Sequence, residues 1–463
     1  MLHRRDALLR LGQLGYGVLT LPVLLQKLHR SAHASPRRQQ GGGTARSCIL
    51  IYLWGGPPQQ DTFDMKPNAP EGIRGVFRPI ATRTPGIHLC EHLPLMAQHS
   101  DKIAIIRSLT HPFNEHGQGV YVTLTGKPDA QKTFPQNRRS RRDFPHLGAG
   151  VSYCLSSRGM PAAVTIPRAV GHDGVIYAGT HAGCLGPRYD PLEMRPPAEV
   201  QEAALHNLDL PTGMTHRDVV LRQGLLHQIE QWQRAVETGK LTAPLDAARQ
   251  QAFDLLTSPS AKRAFQLELE PPRLRERYGR NEYGEAFLLA RRLIEAGVRL
   301  VTIVWYFVCP DGNVANVWDT HGGIASLGGI SGFEMLTRYY CLPALDRAYS
   351  ALLDDLESRG LLSETLVVMF GEFGRTPQIN NNGGREHWGP CQAVVLAGGG
   401  IRGGQIYGAS DKHGAYPSQS PVTPADLHAT IYHALGINPE TEICDAEGRP
   451  FRLCEGRPIT ALF

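Results

Sequence analysis

The chain has 463 residues, of which 41% are hydrophobic and 20% are charged, and its formal net charge is +5. This composition excludes a disordered or fibrous chain, and the length permits a large buried core. No stretch approaches the roughly 20 uninterrupted apolar residues of a membrane-spanning helix. We therefore expect a globular protein whose mature chain has no integral membrane segment.

The first 34 residues have the features of an export signal. Arg4 and Arg5 precede a weakly apolar stretch, and Ala32-His33-Ala34 is a small-x-small cleavage site. The paired arginines predict export by the twin-arginine machinery to the periplasm or the extracellular space, with an ordinary secretory signal or a retained anchor as alternatives. Cleavage would lower the net charge to about +1, because residues 1–34 hold five Lys or Arg and one acid. A nearly neutral mature chain argues against nucleic-acid binding.

Residues 35–46 (SPRRQQGGGTAR) predict a flexible linker, and residues 47–463 predict one α/β domain. The nine cysteines show no CxxC spacing, which argues against a zinc ribbon or a redox motif. Cys444 and Cys454 flank a segment that resembles a hairpin, and whether they pair outside the cytoplasm stays open.

The domain is predicted to be a mostly parallel sheet between helices. Six continuous apolar runs cover residues 47–56, 102–109, 162–167, 298–307, 364–374 and 391–400. Continuous rather than alternating apolar strands are typical of a parallel sheet that is covered on both faces. Helical patterns occupy 338–360 and 423–437. Residues from about 195 to 297 are rich in helix formers, without a strong strand, and predict a helical insertion.

Polar segments follow several of these strands, at the edge where sites form in open α/β sheets. They contain Asp61, Asp319, His321, Glu372 and His387. Carboxylate and imidazole groups together are a ligand set for divalent metals, and we expect zinc or manganese, with calcium as an alternative. Each segment alone is also compatible with an ordinary turn or cap. Their shared position predicts a common metal site.

His116 lies in NEHGQGVYVTLTG, a segment that predicts a helix start. Asn114 is a candidate N-cap, with Glu115 and His116 in the first turn. A helix N-terminus favours a neutral imidazole, which suits a metal ligand or a nucleophile, so a catalytic role and a capping role both stay open. Arg375 and Arg385 are candidate clamps for an anionic substrate, or alternatively partners of loop carboxylates.

Several segments together resemble a known family. The leader, LWGGPPQQDTFDMKP, SLTHPFNEHGQGVYVTLTG, WDTHGG, FGEFGRTP and GREHWGP are similar to the domain-of-unknown-function 1501 family of exported, sulfatase-like bacterial proteins. This resemblance implies the fold of the alkaline phosphatase–sulfatase superfamily, with one or two metals at the strand ends. It also implies an anionic small molecule or a sulfated or phosphorylated glycan as ligand.

The superfamily pattern can be placed on this sequence with departures. His116 stands where a Ser, Thr or Cys nucleophile is usual, and Glu372-Phe373 replaces an Asp-His pair. Asp319, His321 and His387 match ligand positions, and Asp61 is the carboxylate nearest to the first strand.

The resemblance implies a metal-dependent hydrolase of phosphate or sulfate esters, with His116 as a ligand, proton carrier or nucleophile. The alternatives are a non-catalytic relative that binds an anionic glycan or a partner protein, and a structural protein without metal.

Overall fold

The computed structural model describes residues 43–128, 137–157, 160–172, 175–193, 259–309, 314–445 and 447–463. The predicted export signal lies outside the described residues, as do most of the predicted linker and residues 194–258 of the predicted insertion. Among the described residues, no helix is both long enough and apolar enough to cross a membrane.

The described residues form twenty strands, numbered in chain order. They are β1 Ser47–Tyr52, β2 Pro79–Ala81, β3 His88–Cys90, β4 Ile103–Leu109, β5 Ala163–Ile166, β6 Gly171–His172, β7 Val175–Ile176, β8 Leu192–Glu193, β9 Leu300–Val304, β10 Phe307–Val308, β11 Val314–Ala315, β12 Thr365–Phe370, β13 Gly374–Arg375, β14 His387–Trp388, β15 Gln392–Ala397, β16 Gln405–Tyr407, β17 Ala409–Ser410, β18 Pro417–Gln419, β19 Glu442–Cys444 and β20 Pro450–Arg452.

The same residues form nine α-helices. They are α1 Pro94–Ala97, α2 His116–Thr125, α3 Leu147–Cys154, α4 Pro259–Phe265, α5 Pro272–Tyr278, α6 Glu282–Glu295, α7 Gly332–Thr337, α8 Leu342–Ser358 and α9 Pro424–Ala434.

Eight of the strands form one sheet in the order β16-β4-β15-β12-β1-β9-β5-β8. All neighbours in it are parallel except at β15, which runs antiparallel to β12 and to β4. Each of the six predicted apolar runs supplies one of these strands, so the predicted mostly parallel α/β sheet is confirmed. Because β15 runs opposite to β12 and β4, it begins at the edge of the sheet where those two strands end.

Helices cover both faces of this sheet. Along β1, Ile49 and Ile51 face a core that includes α1, α6 and α8, whereas Leu50 and Tyr52 face a core that includes α2, α3 and α9. Successive strand residues point to opposite faces, so a strand that is buried on both sides must be apolar throughout.

The predicted helices are present within narrower limits. The segment 338–360 contains α8, and 423–437 contains α9, which begins with a capping box formed by Thr423 and Asp426. The predicted insertion is helical where it is described. Its helix α6 packs on the sheet as part of the main helical layer, because its apolar stripe, with Phe287 and Leu293 fully buried, faces the core.

The last residues of the predicted linker are packed against the domain. Ala45 is fully buried, and its backbone N–H donates to the carbonyl of Ala434 at 3.0 Å. Gly43 approaches the same helix so closely that a Cβ would lie 2.5 Å from Ala434 Cα. The described residues 43–46 therefore belong to the packed domain.

The predicted hairpin near the C-terminus is present as β19 and β20, but its flanking cysteines are not paired. Cys444 is exposed at the end of β19, whereas Cys454 is buried with its Sγ 3.2 Å from the carbonyl oxygen of Ala425. Both are free thiols.

Candidate metal and catalytic site

Five segments converge at the carboxyl edge of the sheet. Gly55 follows β1, Glu372 follows β12, and Asp319 lies in the loop beyond β9. His116 begins α2 after β4, and His387 lies shortly before β15. The carboxyl ends of parallel strands share one edge, and the reversed direction of β15 places its start at that edge as well.

Three of the predicted residues form a compact ligand cluster. One donor atom each from His116, Asp319 and His387 lies within 4.8 Å of the others. His116 Nε2 is 3.2 Å from Asp319 Oδ2, and His387 Nε2 is 3.0 Å from Asp319 Oδ1. His321 Nε2 lies 3.4 Å from Asp319 Oδ2. Two or three imidazoles around one carboxylate fit a divalent metal such as zinc.

The orientation of each imidazole is fixed through its Nδ1 atom. His116 Nδ1 is 2.7 Å from Glu372 Oε1, and His387 Nδ1 is 2.9 Å from the carbonyl oxygen of Asn114. His321 Nδ1 is 2.8 Å from the carbonyl oxygen of the following residue. Carboxylate and carbonyl oxygens only accept hydrogen bonds, so each Nδ1 donates. The Nε2 atoms of all three rings therefore face Asp319.

Glu372 supports this cluster from behind His116. Its carboxylate is fully buried and accepts hydrogen bonds from the backbone N–H of Gly55 at 2.9 and 3.1 Å. The sequence predicts Glu372 as a metal ligand, but the compact cluster does not include it. Its position is that of a carboxylate that orients the imidazole of His116.

The electrostatics of the cluster are dominated by Asp319. Burial opposes its charge, but the Arg375 guanidinium and hydrogen bonds from His116, His321 and His387 hold the pKa of Asp319 well below its usual range. Burial also opposes charge on His116, but hydrogen bonds to Asp319 and Glu372 outweigh it and raise the pKa of His116 to about 9. The hydrogen bond to Asp319 raises the pKa of His321. Without a metal, a proton on His116 thus balances the buried carboxylates.

Arg375 is an internal cation. It is fully buried, donates to Asp319 Oδ1 at 2.6 Å, and fills its other donor positions with backbone carbonyls, including that of Gly56 at 2.8 Å. Arg385 is 1% exposed and holds both carboxylate oxygens of Asp61, at 2.7 and 3.0 Å. Both arginines are thus buried and paired with loop carboxylates, which is the alternative that the sequence left open, and neither is among the described lining residues of the cavity. Asp61, which the sequence predicts as a metal ligand, is held by Arg385 and is not part of the compact cluster.

Three residues of the site are not apparent from the sequence. Asn316 Nδ2 lies 3.3 Å from Asp319 Oδ2 and 3.4 Å from His116 Nε2. Phe373 stacks on His387 with ring centroids 4.4 Å apart. Asn114 is not the N-cap of α2, a position that Glu115 occupies, and its side chain instead accepts from a backbone N–H near His387. Asn is common in turns, so neither asparagine carries a distinct sequence signal.

A cavity of about 640 Å³ opens over the cluster. Its lining residues are Asn114, Glu115, His116, Gly117, His172, Tyr177, Asn316, Asp319, His321, Ile324 and His387. The first turn of α2 forms part of the wall. The N-terminal N–H groups and dipole of a helix favour a bound anion.

Comparison with known proteins agrees with the resemblance noted in the sequence. The model of the family described as "Protein of unknown function (DUF1501)" matches residues 45–463. The chain belongs to this family. No curated protein matches it.

Solved structures similar to this DUF1501 chain include three proteins at low identity. A protein of glycosaminoglycan metabolism from Bacteroides thetaiotaomicron has a TM-score of 0.39 at 12% identity. The match covers 92% of this chain and 76% of the Bacteroides chain. The phosphonate monoester hydrolase of Silicibacter pomeroyi has a TM-score of 0.38 at 12% identity, covering 90% and 76%. A lipoteichoic acid synthase of Listeria monocytogenes has a TM-score of 0.35 at 8% identity, covering 89% and 78%. Likeness at this level transfers no substrate to this chain.

Proposed function

We propose that this DUF1501 protein is a metal-dependent hydrolase of phosphate or sulfate esters that acts outside the cytoplasm. The metal is bound by Nε2 of His116, the carboxylate of Asp319 and Nε2 of His387, with His321 as a candidate fourth ligand. The observation that carries this proposal is the common orientation of the three rings. Each donates through Nδ1 to a fixed oxygen and turns Nε2 toward one carboxylate.

The chain's own residues supply most of what the reaction needs. A divalent metal bound at this position would act as a Lewis acid on the ester and lower the pKa of water. Glu372 keeps the Nδ1 proton on His116, so that Nε2 is the donor atom. The first turn of α2 lines the cavity, and we infer that its backbone N–H groups stabilise the anionic group of the ester. If His321 is not bound to the metal, its partly buried imidazole is the candidate proton carrier at the cavity.

His116 fits a ligand better than a nucleophile. Its Nε2 belongs to the ligand cluster, and its Nδ1 is held by Glu372. A phosphoryl-accepting nucleophile would need Nε2 free to attack the ester. If instead His116 accepts a phosphoryl group, mass spectrometry without acid treatment should detect phosphohistidine at this position.

Metal content of the purified mature protein tests the proposal. We expect elemental mass spectrometry to find a tightly bound divalent metal in the wild type and none in Asp319→Ala or His387→Ala. His88→Ala is the matched control, because His88 is exposed on β3 and outside the cavity lining. Ester hydrolysis should follow the metal content of these variants.

Two results would contradict the proposal. Absence of metal in a folded wild type would remove the hydrolase and favour a structural protein. A bound metal without turnover of phosphate or sulfate esters would favour the non-catalytic relative that binds an anionic glycan or a partner protein.

A further inference from the structure

The charges that line the cavity differ from those expected of a site for strongly anionic esters. Among the described lining residues there is no lysine or arginine, and the carboxylates are Glu115 and Asp319. Arg375 neutralises Asp319 from inside the fold. Glu115 is therefore the lining carboxylate that lacks a guanidinium partner in the part of the chain that the structure describes.

Glu115 has an unusual position for its residue type. It is the N-cap of α2 and has an extended backbone, but its side chain makes no capping hydrogen bond. Its backbone carbonyl accepts from Gly119 N–H at 2.8 Å, which begins the helix without help from the carboxylate. The side chain is exposed and lines the cavity beside His116. Its carboxylate is thus not used to cap the helix, although the residue lines the substrate space.

We propose that Glu115 is a specificity-determining residue that biases the site toward singly charged esters. This inference rests on the proposed function, because it concerns the ester that enters the same cavity. Sulfate monoesters and phosphate diesters carry one negative charge, whereas phosphate monoesters carry two above a pKa of about 6. The doubly charged ester experiences twice the repulsion from Glu115. For groups separated by a partly hydrated cavity, one unit of charge changes binding roughly tenfold.

Equilibrium binding of two small anions tests this directly. Metal-loaded protein is titrated at pH 8 with methyl phosphate, which is doubly charged, and with dimethyl phosphate, which is singly charged. Glu115→Gln should tighten the binding of methyl phosphate more than that of dimethyl phosphate and change the ratio of the two Kd values roughly tenfold. Glu71→Gln, an exposed residue outside the cavity lining, should leave the ratio unchanged.

Turnover measurements identify the ester and separate this inference from the proposed function. Rates are measured with 4-nitrophenyl sulfate, bis(4-nitrophenyl) phosphate and 4-nitrophenyl phosphate. A Kd ratio that shifts in Glu115→Gln without turnover of any ester would support the inference and contradict hydrolysis. Turnover with an unchanged ratio would contradict the inference and leave hydrolysis standing. Binding of neither anion would overturn the inference, and if no ester is turned over either, hydrolysis would be overturned as well.

Discussion

Asp319 is the residue on which the candidate site depends. Its carboxylate is buried, yet it contacts Arg375 and three imidazoles, so its charge is compensated from several directions. A buried carboxylate without such partners would be costly and would take up a proton. The same compensation means that a metal must displace the proton that links His116 to Asp319, so metal binding should release a proton.

The hydrogen bond from His116 to Glu372 predicts the effect of a single conservative change. Glu372→Gln keeps an oxygen that can accept from Gly55 but removes the charge that holds the Nδ1 proton of His116. Loss of such a supporting carboxylate weakens metal binding by about 10- to 100-fold. Competition with a chelator of known affinity measures the metal Kd, with Glu71→Gln as control. An unchanged Kd would show that Glu372 does not support the ligand.

At the level of elements, the turn after β1 brings two loops together. Gly55 has a φ of +119° and donates its N–H to Glu372. A Cβ on Gly55 would lie 2.2 Å from the backbone nitrogen of Asp319. A side chain at this position would therefore push the loop that carries Asp319 away from the turn after β1.

Gly55→Ala should destabilise the protein more than an alanine at a glycine with a similar backbone conformation. Gly297 is the matched control, because its φ is +104° and a Cβ added there would meet no atom within 4 Å. Backbone strain alone costs about 1–3 kcal/mol, and the steric clash at Gly55 adds to that cost. Urea unfolding gives the free energy of unfolding of both variants. If alanine at Gly55 and alanine at Gly297 lower the free energy of unfolding equally, the Asp319 loop moves away from β1 without cost.

For the molecule as a whole, buried histidines lower the free energy of unfolding at acid pH. Burial lowers the pKa of His146 to about 3, and that of His181 and His428 to about 4. Because their folded pKa lies below the unfolded value of about 6.5, the unfolded chain binds protons first as the pH falls. Stability should therefore decrease from pH 6.5 toward pH 4. The contribution of His116 to stability has the opposite sign. Because its pKa is raised to about 9, it stabilises the metal-free fold below pH 6.5, and this stabilisation is lost as the pH rises through about 9.

His146→Asn should make the protein less sensitive to acid. The Nδ1 atom of His146 caps α3 by accepting from Gly148 N–H at 2.9 Å, and an Asn oxygen can take over that hydrogen bond without titrating. Between pH 7 and 4.5 the variant should lose about 3 kcal/mol less free energy of unfolding than the wild type. Urea unfolding at both pH values measures this, with His88→Asn as an exposed control. The prediction would be contradicted if His146→Asn and the wild type lose the same free energy of unfolding between pH 7 and 4.5.

The sheet, its covered faces and the edge where the polar loops gather follow from local patterns in the sequence. Strands buried on both sides must be apolar at every position, so their runs stand out along the chain, as in β1 and β12. The short polar motifs that follow such strands are local features as well. These motifs carry the resemblance to the DUF1501 family. They also predict Asp319, His321 and His387 as ligands, because parallel strand ends share one edge of the sheet.

The contacts of each polar side chain depend on the folded arrangement and are not visible in the sequence. His116 and Glu372 are 256 residues apart, and Asp61 and Arg385 are 324 apart. A carboxylate that binds metal and one that pairs with an arginine have the same local sequence signal, because the partner lies on a distant segment. The direction of β15, the support of His116 by Glu372 and the burial of Arg375 all follow from packing between such segments. The role of a charged group is fixed by its partners and its burial, which exist only in the folded chain.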